Sequence, residues 1–276
     1  MRYLIASDLD GTLLDHHDYS WEAAKPALSA CEHQGIPVIL NTSKTLAEVD
    51  VLSAELGLSM PVVVENGSAL IFPADWPVDL SLTSHGMTAH EGRWEQLFGA
   101  ERSQLLAFLV EVRQRQDWRF EGFADWSIGD IVMQTGLDEA SASRAARKQF
   151  SEPFIWHDSD DALDQFTQLA QQTGFDVLKG GRFFHLQGRT DKAKPLLWLL
   201  QHIHRLFPLE SEHTPELVCL GDNHNDVAML NAADWPICVR SPVAPFPVLS
   251  TQRPVTQTQA EGPAGWNEAV LDLLTY

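Results

Sequence analysis

Two carboxylates stand two residues apart at the end of an apolar run, in Tyr3-Leu4-Ile5-Ala6-Ser7-Asp8-Leu9-Asp10-Gly11-Thr12. Side chains alternate along a strand, so Asp8 and Asp10 share a face if the strand runs through both. Gly11 marks a turn instead. Acids this close repel unless a shared proton or a bound cation offsets them. With Mg²⁺ between them, one can attack phosphorus while the other handles a proton. Further polar groups follow apolar runs elsewhere: Thr42-Ser43 after Ile36–Leu40, and Asp222 and Asp226 after Leu217–Leu220. Lys192 stands at the start of a helical pattern. Taken singly, each has an ordinary reading as a turn, a helix N-cap or a solvated charge. Their shared placement makes them a set, because open α/β sheets bind ligands beyond the carboxyl ends of their strands.

Those strand ends need elements to position them, and the alternation of patterns supplies them. After the first strand, Trp21, Ala24 and Leu28 recur at helical spacing up to Gly35. A buried strand over 36–41 leads into Thr42-Ser43-Lys44-Thr45, a helix over 46–56 stopped by Gly57, and a strand over 61–64 ending in Glu65-Asn66-Gly67. Strand–helix–strand alternation of this type implies a parallel sheet with helices on its faces. From about 84 to 187 the buried-strand signal weakens. Helices are expected near 103–115, 138–150 and 162–172, and strands over 152–156, 175–178 and 182–186. The α/β pattern returns at 190, with Asp191 as N-cap of a helix carrying Leu196, Leu197, Leu199 and Leu200. Strands over 217–220 and 235–239 follow, then a Pro-, Gln- and Thr-rich stretch over 241–265 expected as surface loop, and a closing helix over 264–274. The expected architecture is a doubly wound, Rossmann-like parallel-sheet core (1–84 and 188–276) with an inserted α+β cap domain (85–187).

Composition restricts the partners. The chain has 276 residues, 44% hydrophobic with nine Trp, enough for real cores. No apolar stretch reaches the roughly 18–20 residues of a membrane span. The N-terminal segment meets Asp8 before any long apolar run, so no secretion signal is expected. Three scattered cysteines, Cys31, Cys219 and Cys238, read as free thiols in a reducing cytoplasm. A net charge of -19 argues against nucleic acid, which requires a basic footprint. A phosphorylated small molecule remains possible where local Lys, Arg, N–H groups and metal overcome that field. No protein partner is evident.

The set DLDGT, NTS, a DK helix start and GDNHND resembles the four motifs of the haloacid dehalogenase superfamily of phosphatases. The details TSKT, ENG, SEPF (151–154), GGRFFH (180–185) and EGPAGW (261–266) resemble its mannosyl-3-phosphoglycerate phosphatase family. The resemblance covers nearly the whole chain. It implies that Asp8 attacks phosphorus to form an aspartyl phosphate, and that Asp10 protonates the leaving oxygen and then activates water. It implies Mg²⁺ held by Asp8, the main-chain carbonyl of Asp10, and Asp222, with Asn225 and Asp226 in the outer shell. Thr42 and Lys192 would hold phosphoryl oxygens, Lys192 also neutralising Asp8.

Position 44 departs from the TGR of many relatives with this cap type, and the TSK form looks like the phosphoglycerate branch. Substrate contacts are expected from Ser43, Lys44, Glu65 and Asn66 in the core. In the cap they are expected from Ser151, Gly181, Arg182 and His185, with the Arg182 guanidinium suited to a glycerate carboxylate. The expected activity is Mg²⁺-dependent hydrolysis of mannosyl-3-phosphoglycerate to mannosylglycerate and phosphate. The rivals are a phosphatase for sucrose phosphate or for several hexose phosphates, and a phosphomannomutase-like phosphotransferase.

Overall fold

A computed structural model describes residues 2–180, 182–208 and 213–275. Its centre is a five-stranded parallel sheet in the order Thr256–Glu261, Trp235–Arg240, Glu216–Gly221, Tyr3–Ser7, Val38–Leu40. The first strand lies in the middle. It is apolar at four of five positions because both of its faces are covered. Tyr3 and Ile5 enter one core with Val218, Leu220, Val38 and Leu40, closed by Ala27, Val49, Trp266 and Val270 from the helices on that face. Leu4 and Ala6 enter the opposite core with Leu217, Cys219, Ile39 and Cys238, under Leu196, Leu199 and Met229. Each buried Leu, Ile or Val contributes about 1.5–3 kcal/mol by leaving water. A register slip of one residue would exchange the two sets.

The register puts Ser7 opposite both Leu220 and Leu40. The three chains therefore leave the sheet at one level, delivering Asp8, Asn41-Thr42 and Asp222 to the same edge. The strand Val62–Val64 joins this sheet only through a parallel bridge between Asn41 and Val63. It then pairs antiparallel with Ala69–Ile71, in a second sheet completed by Arg93–Leu97 and Met87–His90. A third parallel partner was expected from the sequence. The chain reverses instead at Glu65-Asn66-Gly67, where all three residues take positive φ.

Residues 100–188 build a third, antiparallel sheet in the order Phe120–Gly122, Ser151–Trp156, Phe184–Gly188, Phe175–Lys179. Helices Arg102–Arg115 and Asp160–Gln172 pack on it through Leu105, Phe108, Phe154, Phe166 and Leu186. Two short helices, Ile128–Thr135 and Glu139–Ala145, form a small satellite core with Phe123. The helix expected over 138–150 thus ends at Ala145, and its neighbour Ile128–Thr135 was not expected. The stretch 241–265 also differs from the expected surface loop. It contains the edge strand Thr256–Glu261, hidden from pattern reading because only Thr258 is buried along it. The last helix begins at Gly262. No helix among the described residues is long and apolar enough to cross a membrane.

Candidate active site

The turn after the first strand curls at once. Thr12 and Leu14 both donate N–H to the Leu9 carbonyl, and Gly11 has φ +78°. A Cβ at Gly11 would lie 2.7 Å from Asp222 Oδ2, so only glycine lets the two loops meet. Thr12 Oγ1 donates to Asp222 Oδ1 at 3.1 Å. Behind the turn, Trp266 Nε1 donates to Ser7 Oγ, which donates to the Asp8 carbonyl, so the EGPAGW segment braces the end of the strand.

Lys192 is the central cation. Fully buried, its ammonium donates to Asp8 Oδ1 at 2.7 Å and to Asp226 Oδ1 at 2.6 Å. The side chain of Asp191 accepts from the N–H groups of Ala193 and Lys194 at the start of the helix Ala193–Gln201, whose N-cap position falls one residue after the expected one, at Lys192. Asn41 Nδ2 holds the Lys192 carbonyl at 2.8 Å. Asp226 Oδ2 accepts from the N–H groups of Asp222 and Asn223. Asp226 thereby accepts three hydrogen bonds that tie Lys192 to the start of the Asp222 loop. Gly221 must be small for this, since a Cβ there would lie 2.5 Å from that of Asp226.

Thr42 does not cap the helix Leu46–Leu56. Thr45 does, in a capping box with Glu48, which leaves Thr42 buried at the strand end with its hydroxyl accepting, among the described residues, from Lys44 N–H. Lys44 reaches back to Asp10, Nζ to Oδ1 at 2.8 Å, and lies over the Tyr19 ring. Burial disfavours its charge, but Asp10 and Glu48 outweigh that and hold it protonated.

The electrostatics show a missing counter-charge. Burial, with Asp226 second, pushes the Asp8 carboxyl up to about 7 despite Lys192. Burial and the Asp8 charge push Asp222 up to about 6. Lys192 itself is raised, because its two carboxylates outweigh the burial that opposes its charge. Four carboxylates (Asp8, Asp10, Asp222, Asp226) face two ammonium groups (Lys44, Lys192), leaving two negative charges. Oxygens of Asp8, Asp222 and Asp226 lie within 4.8 Å of one another. Hard oxygen donors and an excess of two negative charges fit a divalent cation.

Asn66 Oδ1 accepts from Asn225 Nδ2 at 3.3 Å, joining the ENG turn to the Asp222–Asp226 loop. Glu65 and Ser151 meet each other. The Glu65 carboxylate accepts from Ser151 Oγ and from the N–H groups of Gln149 and Phe150, tying core to inserted unit. His185 lies in the strand Phe184–Gly188 beside Gly180, and burial, then the nearby Lys148, pushes its imidazole down to about 3. Arg182 is exposed and donates to the Gln134 carbonyl within the inserted unit. Gly181 lies outside the described residues. Ser43 accepts at its carbonyl from Lys148 Nζ at 2.9 Å. Sequence reading did not select Lys148 or Asn41. A lysine in the irregular run after Ala145, or an Asn beside a Thr, carries no signal of its own.

Residues 5–85 match the haloacid dehalogenase-like hydrolase family model. Two full-length relatives are named glucosyl-3-phosphoglycerate/mannosyl-3-phosphoglycerate phosphatase. One, from Methanococcoides burtonii, is 32% identical over 99% of this chain and 98% of its own. The other, from Persephonella marina, is 34% identical over 98% and 97%. The chain belongs to this family of haloacid dehalogenase-like phosphatases. The same fold recurs in a haloacid dehalogenase-like hydrolase from B. subtilis, which is 18% identical with a TM-score of 0.62 and covers 100% of this chain and 99% of that one. Family membership agrees with the parallel-sheet core and with the placement of its four motifs at one sheet edge.

Proposed function

We propose that this phosphatase hydrolyses mannosyl-3-phosphoglycerate to mannosylglycerate and phosphate, with Asp8 as nucleophile. One arrangement carries the chemical part of that reading: the buried Lys192 ammonium gripped by Asp8 and Asp226, with Asp222 beside them. The substrate part is supported by the names of the two full-length relatives.

Asp8 Oδ1 is engaged by Lys192, and Oδ2 has no hydrogen-bond donor among the described residues. The attacking oxygen is therefore Oδ2. It forms the new bond to phosphorus as the bond to the glycerate O3 breaks. Asp10, half exposed and on the same turn, donates the proton that O3 takes up, and afterwards removes one from the water that attacks the aspartyl phosphate. Lys44 orients Asp10 for both steps. Thr42 and Lys192 hold phosphoryl oxygens, preorganised because Thr45 relieves Thr42 of capping and Asn41 fixes the Lys192 backbone.

The residues suited to hold Mg²⁺ are Asp8, Asp222 and the main-chain carbonyl of Asp10, with Asn225 and Asp226 behind them. Bound there, the ion neutralises the charge that otherwise repels an anionic substrate. Residues 85–187 serve as a specificity cap. Because Arg93–Leu97 pairs with Ala69–Ile71, the part that covers the site begins after that hairpin. The three cysteines are free and buried, which supports a cytoplasmic setting.

A panel of phosphate esters, assayed for phosphate release with Mg²⁺ and with EDTA, tests this reading. Mannosyl-3-phosphoglycerate is expected to be the preferred ester and EDTA to stop its hydrolysis. Equal turnover of glucose-6-phosphate would overturn the substrate assignment.

A further inference from the structure

We propose that Lys148 is a specificity-determining residue that receives a carboxylate on the leaving part of the substrate, and that Glu65 is the positioning residue that keeps it there. This rests on the reading of the chain as a phosphatase for a phosphoglycerate ester.

The inserted unit meets the core at the end of the helix Glu139–Ala145 and along the segment 146–151 that follows it. Its contacts converge on two core loops. The Arg144 carbonyl accepts from Thr45 Oγ1 at 3.0 Å, and Lys148 Nζ donates to the Ser43 carbonyl at 2.9 Å. Glu65, only 1% exposed, accepts from Gln149 N–H at 2.8 Å, Phe150 N–H at 3.3 Å and Ser151 Oγ at 2.5 Å. A buried carboxylate needs such donors, and three from consecutive residues clamp the segment. Glu65 is itself fixed from below. It holds φ +48°, a strained value for a non-glycine residue, and its N–H donates to the Lys44 carbonyl while Asn66 N–H donates to the Thr42 carbonyl. One turn thus joins the Thr42–Lys44 loop, through Glu65, to the residues flanking Lys148.

The Lys148 ammonium has three donors and uses one on Ser43 among the described residues, with no carboxylate partner. That is unusual in a chain with twice as many acids as Lys and Arg. It stands beside His185, whose imidazole adds no negative charge. Its anchor, Ser43, is one residue from Thr42, and successive Cα atoms are about 3.8 Å apart. An anion on Lys148 would therefore sit at the residue next to Thr42 on the same loop. A three-carbon acid phosphorylated at its far end spans such a gap. Arg182, the guanidinium expected for this task, is exposed and already donates to Gln134. A small phosphate ester without a carboxylate would not reach Lys148.

Steady-state kinetics of Lys148→Met, Lys148→Arg and Glu65→Gln test this, using mannosyl-3-phosphoglycerate and p-nitrophenyl phosphate side by side. Loss of a charge-assisted contact predicts a KM for the carboxylate ester raised about 10- to 100-fold in Lys148→Met. Its kcat and both constants for p-nitrophenyl phosphate should stay within about twofold. Lys148→Arg should restore most of the loss, and Glu65→Gln should show the same selective KM rise, smaller in size. Equal losses on both esters would make Lys148 merely structural and overturn the proposal, as would no loss on either. Failure of the underlying substrate reading appears earlier, in the unsubstituted protein, as no preference for the carboxylate ester.

Discussion

Replacing Lys192 by methionine isolates the charge at the heart of the site with little change in volume. The ammonium is fully buried and makes contacts of 2.7 and 2.6 Å to two carboxylates. Removing one partner from a buried ionic cluster costs about 3–5 kcal/mol, because the remaining charges are left uncompensated. At about 2–4 °C per kcal/mol for large domains, the thermal midpoint at pH 7.5 in EDTA should fall by about 6–20 °C. Asp226 keeps its two N–H donors, so Asp8 is the group that takes a proton. A carboxyl raised in the folded state binds protons that the unfolded chain has released, and stability then falls as pH rises. Asp8 stands at about 7 even with Lys192 in place and is pushed higher without it, so parent and variant lose stability in parallel up to about pH 7 and the deficit should widen above it. Lys192→Met/Asp226→Asn should recover at least about half of the lost stability, since a neutral partner replaces an orphaned charge. Phosphatase activity should stay at least about 100-fold down in both. Calorimetry across pH 4–8 with phosphate-release assays measures each of these. A single variant within 1 °C of the parent, or within tenfold of its activity, would refute the account of Lys192.

Three further outcomes follow from particular contacts. Asp8→Asn should abolish phosphate release while circular dichroism and the thermal midpoint in EDTA remain near the parent's; retained turnover would sink the covalent mechanism. Gly11→Ala places a Cβ 2.7 Å from Asp222 Oδ2 at a φ of +78°, so the Mg²⁺ concentration for half-maximal activity should rise about tenfold or more. An unchanged Mg²⁺ titration would disconnect that turn from Asp222. Far from the site, Arg113 and the Gly122 N–H hold the Asp125 carboxyl below its usual value against its burial. A lowered carboxyl stabilises the fold above its unfolded pKa near 4 and loses that contribution as pH falls through its folded value. Arg113→Met should therefore cost about 0.5–1 kcal/mol at pH 7, with the gap closing as pH falls below the unfolded value, as read from urea midpoints.

Local pattern carried the core of the architecture. An apolar run that stops at Asp8, Thr42 or Asp222 marks a strand end whatever surrounds it, because a strand covered on both faces tolerates polar side chains only where it leaves the sheet. The Asp191 hydrogen bonds ahead of the helix that follows Lys192 were equally local, whereas the Thr45–Glu48 box was not read from the sequence. Features decided by one exposed face left weaker traces: Thr256–Glu261 is an edge strand with a single buried side chain, and Arg93–Leu97 is a mixed run whose one buried side chain is the polar Gln96.

The sequence by itself determined which side chains the sheet edge would collect, since each is tied to the end of its own strand or helix. Only the tertiary structure decided how they are shared. Lys192 turned out to be divided between Asp8 and Asp226, and Lys44 to be committed to Asp10. Glu65 became a clamp on the inserted segment, which set Lys148 against Ser43. Such pairings join residues as far as 184 positions apart. They depend on register, on loop reversal and on the approach of two separate sheets, and no spacing along the chain encodes those distances.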